Sequence, residues 1–131
     1  MIQPRWALAA LALCCFATLV SAPLEAQEVC ATASGATVIA EDGTYLGKIA
    51  SEYNVESIFN DYGKYGGKYS GTSIWNEYGR YGGEYSRQSP FNKYSSTPPA
   101  LIKSGKVIGY LTVAKSHPGA VNPYVLKSCD F

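Results

Sequence analysis

Between Ser57 and Gln88 a 16-residue unit is written twice, and at Ser89 it begins a third time: SIFNDYGKYGGKYSGT, SIWNEYGRYGGEYSRQ, SPFNKYSSTP. A tandem repeat outranks any single-residue signal, because misreading its period misassigns the whole fold. Laid over one another, the copies agree at Ser57/Ser73/Ser89, Asn60/Asn76/Asn92 and Tyr62/Tyr78/Tyr94, with an aromatic at Phe59, Trp75 and Phe91. The two full copies also share Tyr65/Tyr81, Tyr69/Tyr85 and the pairs Gly66-Gly67 and Gly82-Gly83. Charged places do not hold their sign: Asp61 matches Glu77 and then Lys93, and Lys68 matches Glu84. That exchange reads as solvated, interchangeable charge. The fixed Tyr, Gly and Asn places carry the geometry.

The third copy replaces Ser-Ile by Ser89-Pro90. Proline suits the first position of a helix, and serine before it caps an orphan backbone N–H. The spacing therefore predicts short helical turns over 58–62, 74–78 and 90–94, with Ser57, Ser73 and Ser89 as N-caps. Gly63 and Gly79 stand where a left-handed residue ends a helix. The Gly-Gly pairs mark a second turn before a short extended piece. The tyrosine rings are expected to pack on one another and on a sheet, where ring pairs contribute about 0.5–1.5 kcal/mol beyond their buried area.

Two segments flank the repeats and read as β-hairpins. In 36–50, Val38-Ile39-Ala40 and Thr44 to Ala50 enclose Asp42-Gly43. In 99–114, Leu101-Ile102 and Lys106 to Val113 enclose Ser104-Gly105. Both dipeptides suit a two-residue turn that needs positive φ. Gly47 and Gly109 fall at the same place of the second arms, the signature of a bulge or a close backbone approach. The tail reads as loop until Tyr124 to Leu126, an expected edge strand. The fold class is α+β: a small antiparallel sheet from two hairpins flanking the repeats of short helical turns.

Residues 1–26 read as an export signal. Arg5 is its one basic residue, Trp6 to Val20 is apolar throughout, and small residues follow. Cleavage after Ala26 is preferred over Ala22, which would leave Pro23 first; an uncleaved membrane anchor is the alternative. Leu13 before Cys14-Cys15 is too large for a lipid-anchor site. The remaining 27–131 form one domain with near-balanced charge, since Arg5 and Glu25 leave together and the whole chain carries +1. That balance gives no attraction to nucleic acid or to an anionic membrane surface. Cys30 and Cys129, an even pair in an exported chain, are expected to form a disulfide joining the two ends. The expected location is periplasmic or extracellular.

The phrases SIFNDYGKYG, SIWNEYGRYGGEYS, SPFNKYS and VIGYLTV resemble a family of small exported bacterial proteins, largely uncharacterised, with the same tandem pattern. The resemblance covers nearly the whole of 27–131, hairpin turns included. It implies bacterial export and a shared fold, and it brings no catalytic residue. This chain has Tyr65-Gly66-Gly67 and Tyr81-Gly82-Gly83 where the family often has Tyr-Gly-Ser.

No catalytic constellation emerges. His117 is the single histidine, and one His with one Cys pair falls short of the four ligands of a structural zinc site. No strand–turn–helix elbow presents a serine nucleophile. Asp61, Glu77 and Glu84 read as surface charge rather than a glycosidase pair. Phosphate-binding glycine patterns are absent, so no cofactor is expected. The repeats hold seven tyrosines, Trp75 and five basic residues within 57–96. That composition permits base stacking, but export and charge balance argue against nucleic acid. The favoured reading is a non-enzymatic domain binding a protein or glycan through an aromatic ridge. Trp75, Tyr78, Tyr81 and Asn76 of the central copy are the candidate contacts. The alternative is a self-associating structural or cell-envelope protein.

Overall fold

The computed structural model describes residues 24–131. The expected signal therefore lies outside the described residues as far as position 23, Cys14 and Cys15 included. Its expected cleavage point, Ala26–Gln27, falls within the first helix, α1 (Leu24–Ala33). Five strands follow: β1 (Thr37–Ile39), β2 (Tyr45–Lys48), β3 (Ala100–Lys103), β4 (Lys106–Leu111) and β5 (Ala120–Val121), before α2 (Pro123–Lys127). The fold is α+β, with strand order β2-β1-β3-β4-β5. The sheet is mixed rather than antiparallel, because β5 runs parallel to β4.

The turns differ between the two ends of the sheet. Ser104 and Gly105 both have positive φ, at 54° and 77°, and join β3 to β4 as a two-residue turn. Between β1 and β2 only Gly43 does, at 90°, and Ala40 N–H bonds back to Thr44 O at 2.8 Å, so this loop is longer than two residues. Both pairings carry a register shift, at Val38/Ile39 and at Leu101/Ile102. Gly47 sits at φ 116°, and a Cβ there would lie 2.8 Å from Glu56 O. The bulge and the close approach therefore both occur at that glycine.

No helical turn forms in the repeats. Successive β-turns run from Ser51 to Ser95, each closed by an N–H bonded to the carbonyl three residues back, as at Ser57, Asn60, Gly63, Ser70 and Ser73. The step is three residues. At Gly67 and Gly83 the bond reaches four back, to Gly63 and Gly79, which inserts the extra residue of the 16-residue unit. Serine and asparagine at the turn corners explain the choice. Ser57, Ser73 and Ser89 Oγ accept the N–H of Phe59, Trp75 and Phe91. Asn60, Asn76 and Asn92 Oδ1 do the same for Tyr62, Tyr78 and Tyr94. These short side chains satisfy the backbone two residues on, which stabilises a turn and competes with a helix. The expected capping bond thus exists, but a turn follows it.

The turn coils pack on the sheet through Ile58 and Ile74, both fully buried, which join Val38, Leu46, Leu101, Leu111 and Leu126 in one core. Backbone bonds fix both ends of the coils. Ile58 N–H donates to Lys48 O on the outer edge of β2, and Val113 N–H donates to Pro90 O. The aromatic third place forms a column, with ring centroids 6.4 Å apart for Phe59–Trp75 and 5.3 Å for Trp75–Phe91. Phe131 stacks on Phe59 at 5.8 Å.

The tail also departs from the expected edge strand. Asn122 Oδ1 accepts Tyr124 N–H and Pro123 occupies the first turn, so Tyr124 to Leu126 are helical and Ala120–Val121 supply the edge. Cys30 on α1 and Cys129 beyond α2 form the disulfide, with Cα atoms 5.7 Å apart. Among the described residues no helix is long and apolar enough to cross a membrane.

Candidate aromatic groove

The three-residue step determines which rings face solvent. Tyr62, Tyr78 and Tyr94, one per copy, are 100%, 93% and 84% exposed, and Tyr69 and Tyr85 point outward as well. They do not pack on the sheet. Tyr65 and Tyr81, one turn later than Tyr62 and Tyr78, point inward. Tyr65 meets Tyr45 edge-on at 5.1 Å. Tyr81 is buried, its hydroxyl donating to Asp42 Oδ2 at 2.8 Å and lying 3.0 Å from Thr44 Oγ1. Asp42 also accepts from Thr44 N–H and stands 3.6 Å from Arg80. Bonding to Thr44 first, and then to Tyr81, holds its carboxyl at a pKa of about 2, below the ordinary carboxylate value.

Glycine is required where a copy closes on its own backbone six residues back. A Cβ on Gly82 would lie 2.2 Å from Asn76 O, and one on Gly66 would lie 2.2 Å from Asn60 O. Gly79, Gly82 and Gly83 line a hollow at the second copy, a groove of about 820 Å³. Trp75, Tyr78, Tyr85, Phe91 and Tyr124 wall it, Ile74 and Val113 form part of its lining, and Glu77 and Glu84 stand on it. The size and the aromatic walls suit a ligand site. Tyr124 comes from α2, 6.1 Å from Trp75 and 5.2 Å from Phe91 by ring centroid, so the groove is completed by an element far from the repeats in sequence.

Of the four residues expected to make contacts, the structure brings Trp75 and Tyr78 together on this groove. The other two sit elsewhere. Tyr81 is turned inward onto Asp42. Asn76 is occupied by the backbone, its Nδ2 donating to Ser70 O at 3.0 Å and its Oδ1 accepting Tyr78 N–H. Five aromatic or charged residues of the groove are not among the expected contacts: Tyr85, Phe91, Tyr124, Glu77 and Glu84. Glu77 and Glu84 have a sequence signal, since the central copy alone is acidic at both variable places.

The indole of Trp75 is anchored by two groups that are not part of the groove lining. Its N–H donates to Ile58 O at 2.7 Å, and the Lys127 ammonium lies 4.5 Å from its ring centroid. Lys127 lines a separate hollow of about 370 Å³ with Tyr53, Phe59, Asp61 and Phe131. His117 packs edge-on against Tyr110 at 5.1 Å, away from both. Among the described residues no three His, Cys, Asp or Glu side chains come together to hold a metal ion. No protein-family model, no curated protein and no solved structure matches the chain.

Proposed function

We propose that this chain is an exported, non-enzymatic domain that binds a protein or glycan through the aromatic surface of its repeats. The observation that carries this reading is the convergence of Trp75, Tyr78, Tyr85, Phe91 and Tyr124 on one groove. Burying such rings is favourable, so a chain that leaves Tyr78 and Tyr85 in water forgoes core stability that a partner would recover. The disulfide supports an oxidising, exported location. Strand-edge pairing between copies is disfavoured at β2, whose outer edge already bonds to Ile58.

Arrays of oligosaccharides and of peptides probed with the purified, disulfide-bonded chain and with a Tyr78→Ala/Tyr85→Ala variant test the reading. Both tyrosines are exposed, so the variant keeps its fold, and circular dichroism checks that it does. Binding by the parent chain that the variant loses supports the groove. Equal binding by both moves the site elsewhere, and no binding by the parent chain to either array overturns the reading.

A further inference from the structure

We propose that the groove takes a basic peptide segment of a partner protein, with a lysine or arginine side chain laid against the aromatic walls and opposite Glu77 and Glu84. This rests on the binding reading above and names the chemistry of its ligand.

Three observations carry it. The first is charge. The groove lining holds two carboxylates and no basic side chain. Among the described residues the ion pairs are Lys48–Glu56 and Arg80–Asp42, so Glu77 and Glu84 have no internal counter-ion. The second is the character of the walls. Aromatic faces attract ammonium and guanidinium groups within about 6 Å, and Arg and Lys stems cover apolar surface while the head keeps its charge. The chain supplies its own instance at this ring, since the Lys127 ammonium lies 4.5 Å from the Trp75 centroid. The third is size. A hollow of about 820 Å³ is several times larger than one cationic head group, and it suits a stretch of peptide. A neutral sugar would use the rings and leave both carboxylates without an opposite charge.

The copies sharpen the point. The places of Glu77 and Glu84 hold Asp61 and Lys68 in the first copy. Asp61 lies on the other hollow, where Lys127 also stands. The doubly acidic arrangement is therefore confined to the copy that forms the groove.

The test uses a fluorescent peptide of alternating lysine and glycine, its counterpart with glutamine at every lysine, and the purified, disulfide-bonded chain at low salt. The lysine peptide is expected to bind about tenfold tighter than the glutamine peptide, with the preference shrinking as salt rises. A Glu77→Gln/Glu84→Gln variant should erase the preference without loss of thermal stability, because both positions are exposed. Lys127→Gln should tighten the lysine peptide by about two- to fivefold, by removing a like charge from Trp75. Equal binding of the two peptides overturns the cationic ligand and leaves the groove as a binding site. Failure of both peptides also overturns it, and the oligosaccharide array then decides separately whether the groove binds anything. Retention of the preference in the double glutamine variant overturns the role of the two carboxylates.

Discussion

The indole N–H of Trp75 donates to the carbonyl of Ile58, 17 residues earlier, at 2.7 Å. This one bond ties the second copy to the first and sets the plane of the ring that walls the groove. It also satisfies a carbonyl beside a fully buried isoleucine.

Trp75→Phe keeps a ring in the column between Phe59 and Phe91 but removes the donor and part of the indole's packing surface. The expected loss is about 1 kcal/mol for the hydrogen bond, with a further cost for the lost ring surface and for the carbonyl if water cannot reach it. Urea unfolding of parent and variant checks it. A variant as stable as the parent would mean that the bond contributes nothing beyond orientation.

Glycine at these close backbone approaches gives a sharper test. Gly82→Ala places a Cβ 2.2 Å from Asn76 O, a backbone atom that cannot swing aside. The turns of the second copy would have to open, and destabilisation of about 3 kcal/mol or more is expected. Gly71→Ala is the control, since nothing lies within 4 Å of its Cβ. It should be neutral, or stabilising by about 0.4–1 kcal/mol through the unfolded chain. Thermal midpoints of the two variants should therefore move apart.

Parts of this fold are legible from the residues, and the exceptions have physical reasons. Ser104-Gly105 states its turn directly, because few residues tolerate positive φ twice in succession. The repeats mislead because a serine bonding the N–H two residues on looks the same before a helix as before a turn. What separates the two is recurrence. Ser, Asn or Gly returns at every third place, as at Asn54, Ser57, Asn60 and Gly63, and the doubled glycine hides that step within a longer period. The pattern of a capping residue followed by proline, which gives no helix at Ser89-Pro90, does start one at Asn122-Pro123. Neighbouring sequence could not reveal Tyr124 as a wall of the groove, since α2 reaches Trp75 only through the tertiary fold and the disulfide.

That disulfide bears on stability and on the placement of Tyr124. Cys30 and Cys129 close a loop with a sequence separation of 99, and Cys30→Ser/Cys129→Ser should cost about 2–5 kcal/mol. Leu126 is fully buried and keeps α2 attached, but α1 no longer tethers its end. Tyr124 then loses part of its positioning. Reduction of the parent chain should lower the unfolding midpoint and weaken groove binding together, read by denaturant titration and by peptide fluorescence on the same sample.

Acid should weaken the chain through Asp42. Its folded-state pKa is about 2, depressed from 3.8 by bonds to Thr44 and Tyr81. The unfolded chain therefore binds a proton there at a higher pH than the folded chain does, and stability falls as pH falls. The contribution is complete above the unfolded value, shrinks between about pH 4 and pH 2, and is gone below the folded value. Asp42→Asn removes the titration, along with the charged acceptor of the buried Tyr81 hydroxyl. The variant should be less stable than the parent at neutral pH, and the gap should narrow as pH drops from 4 to 2. Denaturant midpoints measured across that window check the sign. A gap that stays constant to pH 2 would mean the carboxylate is not selectively held ionised by Thr44 and Tyr81.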